Sequence, residues 1–201
     1  MIQNLSLIFG SKTKAQEIVL LLKNVKEVVR QGFYDSELFQ IEKFCQENNL
    51  YLVKSKFKVT LGDGSDEHSI YSNQGLRIPE QDSHPGMFFV YFSKDEEKAW
   101  LASYHELVHN QKDLGLLLGY PPCCVDFFCN NFSPKNSNLQ LKPTNLFTNL
   151  TQREQDLVIL SHFPCSSDCP ESLIQGKKYL QAIKEMDKFR AEELVRELSL
   201  D

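Results

Sequence analysis

Nowhere in these 201 residues does an apolar run approach the roughly 20 residues that a helix needs to cross a bilayer. No membrane partner is expected on that ground. The opening stretch Met1-Ile2-Gln3-Asn4-Leu5-Ser6-Leu7-Ile8-Phe9-Gly10 also lacks the basic lead and long apolar core of a secretory signal, so an intracellular, cytoplasmic setting is expected. Basic residues are not in excess. The 22 Lys and Arg stand against 27 Asp and Glu, a net charge of −5, and no broad positive footprint invites nucleic acid. Lys54, Lys56 and Lys58 alternate along one short stretch and read as the solvated face of a strand. Internal repeats and low-complexity tracts are missing, which leaves an ordinary globular chain.

What is present suits such a chain. A hydrophobic fraction of 41% at this length can bury a core without disulfides. Residues 1–118 read as a mixed α/β region and residues 119–201 as a helical, cysteine-bearing region, together one compact domain. The expected fold class is α+β, with helices packed on a small antiparallel sheet.

Helical spacing of Ala15, Ile18, Leu22, Val25 and Val29 behind the capping-box sequence Thr13-Lys14-Ala15-Gln16 predicts one helix running to Gly32. A second begins near Asp35 or Ser36, carries Leu38, Phe39, Ile41 and Phe44 inward and stops at Asn48-Asn49; Cys45 on that face reads as a core residue. From Leu52 the period becomes two, predicting a strand to Leu61, with further strands over 70–78 and 87–92 in an antiparallel meander. Asp63, Asp66, Glu67 and His68 crowd the loop between strands and read as a solvated turn. Ser93-Lys94-Asp95-Glu96 starts a long helix with Trp100, Tyr104, Leu107, Gln111 and Leu114 on one stripe, and a long terminal helix follows residue 170. Residues 144–161 are ambiguous: Gln152 to Leu160 favours helix, while Leu146-Phe147 and Val158-Ile159-Leu160 leave a short strand open.

Four of the six cysteines fall in two short segments, Gly119-Tyr120-Pro121-Pro122-Cys123-Cys124-Val125-Asp126-Phe127-Phe128 and His162-Phe163-Pro164-Cys165-Ser166-Ser167-Asp168-Cys169-Pro170. Each pair follows a proline, which is tolerated in a first helical turn, so each pair is expected near a helix N-terminus. There the helix dipole favours thiolate over thiol, and thiolates bind metals. Clustered cysteines in a reducing compartment point to a metal or redox site rather than to a disulfide framework. Cys123, Cys124, Cys165 and Cys169 are therefore the expected metal ligands. Consecutive helical side chains diverge by roughly 100°, which favours an iron–sulfur cluster over a single zinc. A redox or Lewis-acid role follows if the centre is catalytic, with a small molecule or a redox partner protein as its partner. His162 is a further candidate ligand. Tyr120 and Phe163 would shape access to the site. Structural zinc and a metal-free thiol-redox pair are the alternatives.

The two cysteine blocks, in the form Leu117-Leu118-Gly119-Tyr120-Pro121-Pro122-Cys123-Cys124-Val125-Asp126-Phe127-Phe128 and His162-Phe163-Pro164-Cys165 with Cys169, resemble a prokaryotic, chiefly archaeal family known as domain of unknown function four hundred and eighty-three. The resemblance implies that the four cysteines belong together and implies no activity. The blocks are more loosely similar to the cysteine-rich CCG domain of heterodisulfide reductases, which binds iron–sulfur clusters. Val125 in place of glycine, and C-x₃-C in place of C-x₂-C, depart from that pattern.

One competing motif remains. His105-Glu106-Leu107-Val108-His109 fits H-E-x-x-H, in which histidines four apart on a helix bind zinc and the glutamate acts as general base. A zinc metallohydrolase is the alternative enzyme reading, with Asp113, Asp126 or a cysteine as the third ligand.

Overall fold

The computed structural model describes residues 1–61, 75–133 and 135–199. The acidic loop of Asp63, Asp66, Glu67 and His68 lies outside them. The fold is α+β, with eight helices and a four-stranded antiparallel sheet among the described residues. Two compact units divide the chain: Glu27–Gly119, and Met1–Lys26 with Tyr120–Asp201.

The unit Glu27–Gly119 holds the sheet. Its strands are β1 (Val28–Phe33), β2 (Tyr51–Leu61), β3 (Gly75–Pro79) and β4 (Met87–Ser93), in the order β1-β4-β2-β3. This corrects two expectations. Residues 28–33 form a strand, not the tail of a helix: Asn24 takes a left-handed φ of 58°, and the valines beyond it are β-branched and fit a pleated surface. Nor is the sheet a simple meander, because β4 crosses over to pair with both β2 and β1, with Val53 and Arg30 flanking Tyr91. The helices of this unit are α3 (Asp35–Glu47), α4 (Glu96–Leu107) and α5 (Gln111–Leu117). Leu38, Ile41, Phe44 and Cys45 of α3 are buried as expected, whereas Phe39 is exposed. Alternation places Arg30, Tyr91 and Arg77 on the sheet face that meets Glu106 of α4. Val29, Phe33, Phe88, Val90 and Phe92 are buried on the other face, with Phe33 and Phe92 edge to face at 6.0 Å.

The second unit is helical: α1 (Ile2–Phe9), α2 (Lys12–Leu22), α6 (Pro122–Asn131), α7 (Pro170–Met186) and α8 (Lys188–Leu198). Ser11 caps α2 by accepting from the Lys14 N–H at 3.0 Å, two positions before the box read from the sequence. Its core joins Val19 and Leu20 of α2 to Ile159 and Leu160, to Tyr179 and Ile183 of α7, and to Leu194 and Leu198 of α8. Each such aliphatic side chain contributes about 1.5–3 kcal/mol on burial. The terminal helix breaks in two because Asp187 caps α8, accepting from the Arg190 N–H at 3.1 Å. Residues 144–161 are mostly irregular, with a single 3-10 turn at Arg153–Gln155.

Candidate metal centre

Pro122 occupies the first position of α6, so Cys123 and Cys124 both fall in its first turn. The second arm departs from expectation. Cys165 stands in a turn ahead of α7, and Cys169 is the N-cap of that helix, its N–H bonded to the Ser166 carbonyl at 3.1 Å. C-x₃-C spacing therefore brings two sulfurs together through a turn closed by Pro170 and not along a helix face. The stretch that defied assignment holds this turn in place. Asn145 and Thr148 donate to the Ser167 carbonyl at 2.8 and 2.6 Å, and Thr144 donates to Asp168 at 2.6 Å. Gly176 of α7 gives this stretch room, since a Cβ there would stand 2.9 Å from Cβ of Phe147.

The four sulfurs of Cys123, Cys124, Cys165 and Cys169 all lie within 4.8 Å of one another. Cys123 is 3.9 Å from Cys124 and 3.7 Å from Cys169, and Cys124 is 3.7 Å from Cys169. Such a group can bind a metal ion. Cys124 and Cys169 are buried, Cys165 is half-buried and Cys123 is exposed, so one side of the cage faces outward. The expected lowering of thiol pKa at helix starts holds for only part of the cage. Burial pushes the Cys124 thiol up and Cys165 up to about 11. Burial acts the same way on Cys169, but hydrogen bonds from Ser172 and from the Cys165 and Cys123 thiols outweigh it and bring it down to about 7.

A second ring of contacts surrounds Cys124. Its sulfur is 3.2 Å from the Ser172 hydroxyl and accepts from the Cys165 N–H at 3.4 Å. Ser172 in turn meets Nε2 of His162 at 2.9 Å. His162 thus stands behind a ligand and is not in the sulfur group. Burial, and then the Lys26 charge, push its pKa down to about 3, so it is neutral at ordinary pH. Tyr120 packs on the His162 ring at 5.1 Å, and Phe163 stacks against Phe128 at 6.4 Å. Behind Tyr120 lies the buried Lys26–Glu17 ion pair, with the Lys26 ammonium 5.3 Å from the Tyr120 ring centre. Sequence reasoning missed Ser172 and Lys26. A serine three residues past Cys169 looks like any first-turn serine, and nothing in its local sequence shows that α6 brings the Cys124 sulfur to it.

The other cysteines stand apart: Cys45 is buried in α3, where burial and then Glu42 raise it to about 12, and Cys129 is exposed on α6. H-E-x-x-H does not lie on one helix. α4 ends at Leu107, and His109 lies beyond it with a left-handed φ of 58° and Nε2 3.4 Å from Arg77. Glu106, placed as a general base by that motif, is instead held by Arg30 at 2.5 Å and Arg77 at 2.8 Å. Asp113 accepts from the Asn110 amide, and Asp126 sits on α6.

No curated protein and no solved structure matches the chain. Among the described residues no helix is long and apolar enough to cross a membrane. A family match covers residues 101–199, from the middle of α4 through α8, and takes in both cysteine segments. Over that span the chain matches the family described as protein of unknown function (DUF483).

Proposed function

We propose that the protein is a metal-binding protein whose cysteine cage holds one tetrahedral ion, zinc before any other, and that the ion's main effect is to fix the 165–169 turn to the start of α6. One observation carries this reading. Tetrahedral sulfurs around zinc, at roughly 2.3 Å from the metal, stand about 3.8 Å apart; three of the sulfur pairs stand at 3.9, 3.7 and 3.7 Å. Adjacent cysteines argue for a cluster when their sulfurs splay apart, and those of Cys123 and Cys124 do not. A four-iron cluster gives each thiolate its own iron and spreads the ligands wider than a single ion does. Four thiolates also fill the coordination of zinc and leave no open position, which favours a structural role over Lewis-acid catalysis. Such a cage keeps its thiols in a reducing compartment, so the cytoplasm is the proposed location.

An iron–sulfur centre with a redox partner protein is the second reading. The exposure of Cys123 and the partial exposure of Cys165 favour it, since that side of the cage has room to widen. Anaerobic purification followed by metal and acid-labile sulfide analysis separates the two. The first reading expects colourless protein with one zinc per chain and no sulfide. Brown protein with matching iron and sulfide moves the assignment to the cluster, and folded, metal-free protein with all six thiols free contradicts both.

A further inference from the structure

Trp100, Tyr104 and Leu107, which the sequence sets on one stripe of a helix, face outward on α4. Together with Leu101, Val108 and Leu116 of α5 it makes six large apolar residues between 40% and 57% exposed. The side of α4 that is buried carries Ala99, Ala102, Ser103 and Glu106. A helix with apolar residues on both sides belongs between two layers, and within its unit α4 packs on strands β1, β2 and β4 and on α5, which together leave this stripe exposed. Positions 100, 101, 104, 107 and 108 run continuously along the helix, so this is a single contiguous patch rather than scattered exposed residues.

The charges at its two ends indicate what covers it. Where α4 begins, exposed Asp95, Glu96 and Glu97 outnumber Lys94 and Lys98 beside them, and Lys98 is itself paired with Glu27 at 2.9 Å. Exposed His109 and Lys112 follow its end, with the Arg77 guanidinium 3.4 Å from His109; Asp113 there accepts from the Asn110 amide at 2.7 Å. We propose that this face docks a second copy of the same chain, α4 against α4 in antiparallel, two-fold fashion. That arrangement sets the apolar stripes together, places the acids of each copy beside the basic end of the other, and opposes the two helix dipoles. A partner carrying one sign of charge would complement only one end. The proposal is independent of the metal reading.

The chain has a single tryptophan, Trp100, and it lies in the patch. Light scattering after gel filtration, and tryptophan emission, are measured on the full metal-loaded chain over about a hundredfold range of concentration. The expected result is a dimer whose emission shifts to longer wavelength as dilution separates it. Tyr104→Glu, at an exposed position that leaves the fold intact, weakens the dimer by about tenfold or more. Glu96→Lys with Glu97→Lys weakens it too, and adding His109→Glu with Lys112→Glu restores it. A chain that stays monomeric throughout overturns the proposal, whatever its emission. So does a dimer indifferent to Tyr104→Glu, or charge reversals that fail to restore one another.

Discussion

Cys123 and Cys169 are 46 residues apart in sequence, and their sulfurs are 3.7 Å apart. Nothing covalent joins the two arms, and the sulfurs converge because α6 and α7 both begin at this place. If an ion occupies that convergence, its free energy of binding is also free energy of folding for the helical unit. Removing it with a strong chelator lowers the apparent Tm by on the order of 10 °C, and adding zinc back restores it. Cys169→Ala reproduces the loss and does not respond to added zinc; calorimetry with and without metal reads both.

Ser172 is fully buried, between His162 and the Cys124 sulfur. Replacing it with alanine removes a donor to that sulfur and leaves the buried Nε2 of His162 without its partner. Second-ring changes of this kind weaken metal binding by roughly 10–100-fold. Competition with a coloured chelator should show that loss in Ser172→Ala, while exposed Ser166→Ala on the neighbouring turn leaves affinity unchanged.

Glu106 pairs with two arginines from an almost fully buried position. Glu106→Gln keeps the shape and removes the carboxylate that Arg30 and Arg77 share, at a cost of about 3 kcal/mol by urea unfolding. Metal content stays at the wild-type level in this variant and in His105→Ala and His109→Ala. Zinc lost from a folded His105→Ala protein would instead favour the metallohydrolase.

Acid acts on the helical unit through Glu193. Burial raises its pKa, but hydrogen bonds from Lys12 and Arg190, both at 2.7 Å, outweigh that and hold it below its ordinary 4.5. A carboxylate lowered in the folded state binds its proton more readily when unfolded. Its contribution is therefore present above pH 4.5 and is lost as pH falls through the folded value. Glu193→Gln reduces stability at pH 7 by about 1 kcal/mol and makes the acid limb of a stability-against-pH curve shallower.

The cysteine set was legible because proline and cysteine punctuate the chain so strongly: Pro121-Pro122 ahead of Cys123 and Pro170 after Cys169 mark the starts of α6 and α7, and Pro164 leads into the turn that carries Cys165. Strand β2 was equally plain, since alternation from Leu52 to Leu61 has one reading. Val25, Val28 and Val29 fit a helical period as well as a strand, and only pairing with β4 decides between them. The outward turn of Trp100 was hidden for a related reason. Ala99, Ala102 and Ser103 are small enough to let α4 lie close on the sheet, yet on a hydropathy pattern they look like the weaker face. Likewise, H-E-x-x-H carries no sign that the helix stops at Leu107, nor that Arg30 and Arg77 arrive from other strands. Contacts between distant segments leave little trace in local spacing.

X-ray absorption at the metal edge of anaerobically purified protein tests the tetrahedral cage most directly. The prediction is one shell of four sulfur neighbours at about 2.3 Å, with no metal–metal scattering behind it. A short metal–metal distance, or a first shell made mainly of nitrogen and oxygen, contradicts it.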